Sequence, residues 1–91
     1  FYDNIPRSLP VDCAAVVERQ SWNVPPIFSL MQQIGNVSDT EMHRTFNMGI
    51  GMVVVVAREQ APYLVERLIA AGERAAVIGE VVRGNHEVQM V

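Results

Sequence analysis

The stretch T-F-N-M-G-I-G-M-V-V-V-V-A, residues 45–57, contains the most apolar run of the sequence. No polar residue interrupts Met52 to Ala57, which predicts a strand buried on both faces. Its consecutive valines are β-branched and favour a strand over a helix, and the run is far shorter than the roughly 20 apolar residues of a membrane span. Gly49 and Gly51, at its entrance, allow close approach of a ligand or another segment. We therefore predict a central strand here, with the candidate site at its entrance.

Composition indicates one ordinary globular unit. Residues 1–91 are predicted to form a single domain, because 91 residues with 49 % hydrophobic content suit one modest core. The net charge is −3 and the seven basic residues, all arginines, are scattered singly. This pattern offers no basic stripe for nucleic acid and no polybasic membrane anchor.

Cys13 is the only cysteine, so the chain has no internal disulfide and no zinc knuckle. A reducing compartment is the simpler interpretation, and Cys13 is expected to be structural. The N-terminus shows no signal peptide, which by default predicts the cytoplasm. The chain opens directly on F-Y-D-N-I, without an initiator methionine, as a segment of a longer protein would.

The N-terminal segment predicts a short helix followed by a strand. Phe1, Ile5 and Leu9 recur every four residues, which suits a short helix if Pro6 lies in its first turn. C-A-A-V-V-E at 13–18 then predicts a short strand.

Two helices are predicted next. Pro25-Pro26 can begin the first, and its apolar residues follow helical spacing: Ile27, Leu30, Met31 and Ile34. Gly35 is the expected left-handed cap, with Asn36 as the alternative. Ser38-Asp39-Thr40-Glu41 has the form of a capping box, in which the serine hydroxyl and the glutamate carboxylate each bond a backbone amide. A second helix should begin at Asp39 and end near Phe46, with Met42 facing the core.

The last third predicts one helix and two strands. Glu59 to Ala71 shows one apolar stripe, formed by Ala61, Leu64, Val65, Leu68 and Ile69, and Gly72 caps it. Ala75 to Val82 is predicted as a second buried strand. Gly84-Asn85 would turn into a final strand, His86 to Val91, that forms a hairpin with it.

This order of elements predicts an α/β (α+β) fold of the ferredoxin-like type, with helices on one face of a mainly antiparallel sheet. Such a sheet normally leaves its other face to solvent, yet Met52 to Ala57 is apolar on both faces. Either the protein is a homo-oligomer through that face or a further part of the protein covers it. In both cases the 91 residues would be less than the working unit, and we expect the chain to be about half of a larger domain.

A search for catalytic motifs is mostly negative. The sequence has no phosphate-binding loop, and G-I-G at 49–51 lacks the third glycine of a dinucleotide fingerprint. His43 and His86 have no carboxylate or cysteine neighbours at ligand spacing, so both are expected to be surface histidines and no metal site is predicted. The methionines at 31, 42, 48 and 52 are expected to fill the core.

Three features could contact a ligand. Asn47 follows a short helix, where a left-handed C-cap is the structural alternative. Asn4 and Arg7 flank Ile5-Pro6, and an arginine next to a proline could form a phosphate fork or simply face solvent. Gly49 and Gly51 could approach a ligand or serve packing.

Five segments together resemble one enzyme family. N-I-P-R at 4–7 and E-M-x-R-T-F-N-M-G-I-G-M at 41–52 are similar to the aminoimidazole ribonucleotide synthetases, also called phosphoribosylformylglycinamidine cyclo-ligases. S-W-x-V-P-P-I-F at 21–28, G-N-V-S at 35–38 and A-x-V-I-G-E-V-V at 75–82 extend the resemblance over the whole chain. The matching region is the C-terminal part of that family's C-terminal domain.

The resemblance implies a ligase of purine biosynthesis that uses ATP and magnesium to cyclise formylglycinamidine ribonucleotide to aminoimidazole ribonucleotide. It implies substrate-binding roles for Asn4, Arg7, Thr45, Asn47, Gly49 and Gly51, with no catalytic residue or metal ligand assigned. The family's N-terminal ATP-binding domain and its acidic magnesium ligands have no counterpart in this sequence. The chain alone is therefore expected to be inactive and to bind no cofactor.

Two alternatives remain open from the sequence. The chain could belong to a related synthetase, such as formylglycinamidine ribonucleotide synthetase. It could also be a non-catalytic ferredoxin-like module that binds a small molecule or a partner.

Overall fold

The computed structural model describes all residues from Phe1 to Val91 and shows an α+β arrangement. A 3-10 turn at Ile5–Ser8 precedes strand β1 (Cys13–Val17), and helices α1 (Pro26–Gly35) and α2 (Asp39–Thr45) follow. A second 3-10 turn at Arg58–Gln60 leads into helix α3 (Ala61–Ala70). Strands β2 (Gly79–Arg83) and β3 (Val88–Met90) end the chain. The predicted α+β class is confirmed.

The three strands form one mixed sheet in the order β2-β1-β3. β1 pairs with β2 in the antiparallel sense and with β3 in the parallel sense. The predicted hairpin between the last two strands is therefore wrong, because β1 lies between them. A Cβ on Gly84 would lie 2.5 Å from the Cβ of Ala14, so two small residues let the chain cross β1 here. The ferredoxin-like arrangement is not seen in this sheet and stays a prediction for a larger domain.

The predicted central strand is the largest disagreement. Residues 51–57 form no helix, strand or turn, and no backbone N–H or C=O from Met52 to Val56 is paired with another backbone group. The segment is exposed instead of buried, with Met52 at 83 %. A strand needs a neighbour to satisfy its amides, and no other strand of this chain pairs with this segment.

Local capping signals place the helices well. Ser38 Oγ accepts a hydrogen bond from the Glu41 N–H at 3.2 Å, which fixes the start of α2. Glu41 does not complete the capping box, because its carboxylate accepts a bond from the Thr45 hydroxyl at 3.0 Å. At the end of α1 the left-handed residue is Asn36, with φ 49°, and not Gly35.

The core is small and lies between the first 3-10 turn and one face of the sheet. It consists of Ile5, Leu9, Ala15, Val17 and Val88. Met42 of α2 is fully buried, as predicted. The apolar stripe of α3 has no core to face, and no residue of α3 or α1 is buried. The chain thus has a small core and exposes the apolar residues of α1, α3 and the 52–57 segment.

Candidate functional site

One cavity lies where the first 3-10 turn meets the loop that follows α2. Its volume is about 370 Å³, and its lining is Phe1, Asn4, Ile5, Ser8, Asn47, Ile50, Gly51, Met52 and Val53. The lining therefore comes from two separate parts of the chain, residues 1–8 and 47–53. Amide and hydroxyl groups share it with apolar side chains, and no charged side chain lines it.

The fold brings three of the six predicted site residues into this cavity. Asn4, Asn47 and Gly51 line it. Asn4 is the N-cap of the 3-10 turn, and its side chain makes no capping bond, so its amide is free to reach a ligand.

The other three predicted residues do not line the cavity. Thr45 is in the last turn of α2, where its hydroxyl bonds the Glu41 carboxylate. Gly49 is in the turn between the lining residues Asn47 and Ile50. Arg7 is exposed on the same 3-10 turn as Asn4, and it forms no ion pair.

Asn47 builds a turn with its side chain. Its Oδ1 accepts a hydrogen bond from the Gly49 N–H at 2.8 Å, and its backbone oxygen accepts one from the Ile50 N–H at 2.9 Å. The C-cap of α2 is Phe46 in an extended conformation, and the left-handed residue is Met48, with φ 52°. The left-handed cap considered for Asn47 is therefore wrong. Its Nδ2 group donates no hydrogen bond within the protein, which leaves it available to a ligand.

Gly49 and Gly51 have different environments. Gly49 has φ +94°, and a Cβ there would lie 2.5 Å from Pro25 Cδ, so both backbone and packing require glycine. A Cβ on Gly51 would meet nothing within 4 Å. Only Gly51 therefore keeps open space beside the cavity.

Several lining residues were not singled out from sequence. Ser8 directly follows the N-I-P-R segment, and Ile50 and Met52 lie within the T-F-N-M-G-I-G-M segment, so their position in these segments was the available signal. Phe1 carried no such signal, because its place depends on long-range contacts. Its ring lies 5.4 Å from that of Trp22, with the two stacked.

His43 differs from its predicted surface position. It is 4 % exposed, and its Nδ1 lies 2.8 Å from the Asp39 carbonyl oxygen. A carbonyl can only accept, so Nδ1 bears the proton. His86 is exposed as expected, with its Nε2 3.0 Å from the Leu9 carbonyl oxygen.

Cys13 lies on β1, outside the cavity lining. Burial, with the Asp12 carboxylate beside it, raises the pKa of the Cys13 thiol above its usual value. The thiol is therefore protonated at neutral pH, which suits a structural residue.

The donor set of the cavity does not suit a metal–nucleotide complex. Magnesium prefers carboxylate oxygens, and the cavity presents only amides, a hydroxyl and apolar groups. No three His, Cys, Asp or Glu side chains come together elsewhere in the chain. No chemical step is therefore assigned to magnesium on these residues.

Comparison with known sequences places the chain in a family. The profile described as "AIR synthase related protein, C-terminal domain" matches residues 1–91. The chain belongs to this family.

Individual AIR synthase relatives agree with the profile. The chain is 50 % identical over 88 residues to a phosphoribosylformylglycinamidine cyclo-ligase of Alkaliphilus metalliredigens, which covers 97 % of the chain and 25 % of that protein. It is 45 % identical over 87 residues to the protein of that name in Syntrophus aciditrophicus, covering 96 % of the chain and 25 % of the relative. The chain thus spans about a quarter of the length of these relatives. None of its helices combines the length and apolarity needed to cross a membrane.

Proposed function

We propose that this chain forms one wall of the substrate site of a phosphoribosylformylglycinamidine cyclo-ligase. The complete enzyme would use ATP and magnesium to cyclise formylglycinamidine ribonucleotide to aminoimidazole ribonucleotide in purine biosynthesis. The observation that supports this most is the meeting of residues 1–8 with residues 47–53 at one cavity. Residues 1–8 contain the N-I-P-R segment, and residues 47–53 overlap the segment at 41–52; these are the two segments by which the chain most closely resembles the family.

The chemistry of the cavity suits a ribonucleotide. The side-chain amides of Asn4 and Asn47 and the Ser8 hydroxyl can bond the hydroxyl, amide or phosphate oxygens of such a molecule. The apolar lining, with Ile50 and Met52, can pack against its ribose. Arg7, unpaired on the adjacent turn, can form a bidentate contact with the phosphate.

ATP and magnesium are assigned to the rest of the enzyme. Phosphoryl transfer depends on charge stabilisation and positioning, and no charged side chain lines the cavity to supply either. We infer that an N-terminal ATP-binding domain completes the site and covers the exposed segment 52–57, in a homo-oligomeric cytoplasmic enzyme.

The test is substrate affinity in the protein expressed from its complete reading frame. Asn47→Asp keeps an acceptor for the Gly49 N–H but removes the Nδ2 donor and adds a negative charge. Asn47→Ala removes both functions. If Nδ2 contacts the ribonucleotide, both variants should raise its KM by about tenfold or more, since a hydrogen bond to a charged group contributes about 1.5–3 kcal/mol. Arg7→Ala should raise KM similarly, and Arg7→Lys should restore part of the loss.

Arg74→Ala is the matched control, because Arg74 is also an exposed arginine without an ion pair but lies after α3, away from the 3-10 turn that carries Arg7 beside the cavity. It should keep the wild-type KM. Wild-type affinity in Asn47→Asp and Asn47→Ala together would contradict the proposed site. A fully active Arg7→Ala enzyme would remove Arg7 from it.

A further inference from the structure

Trp22 lies between β1 and α1 and contacts both parts of the cavity wall. Its indole N–H donates a hydrogen bond to the Met48 carbonyl oxygen at 3.0 Å. Its ring stacks on Phe1, with centroids 5.4 Å apart and planes inclined by 28°. Phe1 lines the cavity, Met48 follows the lining residue Asn47, and Trp22 itself does not line it.

The turn that Trp22 contacts has an unfavourable backbone. Met48 has φ 52°, a conformation that few residues other than glycine adopt. It is held there although it carries a long side chain, which is 5 % exposed. Such a conformation persists only where surrounding contacts enforce it.

Three contacts enforce the turn in addition to the backbone hydrogen bond from the Ile50 N–H to the Asn47 carbonyl oxygen. Asn47 Oδ1 binds the Gly49 N–H from within. From outside, Gly49 lies against Pro25, and the Trp22 indole holds the carbonyl of Met48. The Trp22 hydrogen bond comes from a side chain outside the turn. A substitution at Trp22 can remove this bond and still keep an aromatic ring at the position.

We propose that Trp22 is a positioning residue for the ribonucleotide, acting by holding the turn at residues 47–50 against Phe1 at the start of the other part of the cavity wall. By holding the Met48 carbonyl oxygen, the Trp22 indole orients the Asn47 side-chain amide and the backbone that leads to Gly51. The inference depends on the proposed substrate site and adds a residue that touches no substrate.

The test removes only the donor. Trp22→Phe keeps an aromatic ring against Phe1 and loses the N–H, and the isosteric analogue benzothienylalanine at position 22 keeps the ring size as well. In the complete enzyme both should raise the KM for formylglycinamidine ribonucleotide roughly fivefold, the factor expected for one net hydrogen bond. The KM for ATP should be unchanged.

A double-mutant cycle separates positioning from loss of stability. Because Trp22 acts through the turn that holds Asn47, the double variant Trp22→Phe/Asn47→Ala should lose less affinity than the two single losses combined. Ser38→Ala is the stability control. It removes the N-cap of α2, which does not line the cavity, and should lower the melting temperature without changing either KM.

Two results would overturn the role of Trp22 and leave the proposed site unaffected. One is that the affinity losses of the two single variants add up in the double variant. The other is a wild-type KM with benzothienylalanine at position 22 while Asn47→Ala raises the KM. Wild-type affinity in the Asn47 variants as well would overturn the proposed site, and this inference with it.

Discussion

Gly49 and Gly51 are two positions apart, and their environments differ. At Gly49 the fold requires glycine, because φ is +94° and Pro25 occupies the space of a side chain. At Gly51 no protein atom lies within 4 Å of a Cβ. From sequence the two could not be told apart, since Pro25 is separated from Gly49 by helices α1 and α2 and the contact depends on how they pack.

Replacing each of these two glycines by alanine should have a different effect, on stability at position 49 and on ribonucleotide binding at position 51. Gly49→Ala should destabilise the protein by about 1–3 kcal/mol, because it forces a strained conformation. Gly51→Ala should change stability by less than about 0.5 kcal/mol, yet its methyl group should obstruct the ligand and raise the ribonucleotide KM. Urea denaturation and steady-state kinetics of the two variants measure both effects. An unchanged KM in Gly51→Ala would show that the ligand does not approach this backbone.

Asn47 shows how far sequence reasoning reaches at this scale. The end of α2 was predicted near Phe46 and is at Thr45. The left-handed residue is Met48, whose carbonyl oxygen accepts a hydrogen bond from the Trp22 indole, a contact from a distant part of the chain. Three of the six candidate residues line the cavity. They are Asn4 and Asn47, whose side-chain NH2 groups donate no hydrogen bond within the protein, and Gly51, which has open space where a side chain would be.

At the scale of elements, local signals predict helices and β1 but not strand pairing. The Ser38 cap, the proline at the start of α1 and the valines of β1 act within a few residues, and those elements form where predicted. Which strands pair depends on contacts distant in sequence. β1 consequently separates β2 from β3, and the valine-rich segment 52–57 has no partner despite its strong propensity.

The unpaired segment predicts a difference in hydrogen exchange. In the isolated chain the amides of Val53 to Val56 should exchange rapidly, because none is bonded to another backbone group. In the protein from the complete reading frame they should be protected, as a further strand pairs with them. The amides of β1 are the internal control and should be protected in both. Rapid exchange of 53–56 in both proteins would contradict the proposal that this segment is a covered strand.

The whole molecule is flat and poorly covered. Its extents are 41 × 35 × 18 Å, and its radius of gyration is 14.0 Å, against about 12 Å expected for a compact domain of 91 residues. Only 10 of 91 residues are buried, and large apolar residues from the 52–57 segment, α1 and α3 are exposed. Soluble monomers rarely expose so much contiguous apolar surface. These features agree with a chain that spans about a quarter of its relatives' length.

Phosphate release from ATP tests the central claim most directly. It should be measured for the 91-residue chain alone and for the protein from its complete reading frame, each with and without formylglycinamidine ribonucleotide. The chain alone should release no phosphate above background, because no charged side chain lines its cavity to stabilise phosphoryl transfer. The complete protein should release phosphate only when the ribonucleotide is present. Turnover by the chain alone, or release by the complete protein that does not depend on the ribonucleotide, would contradict the proposed shared site.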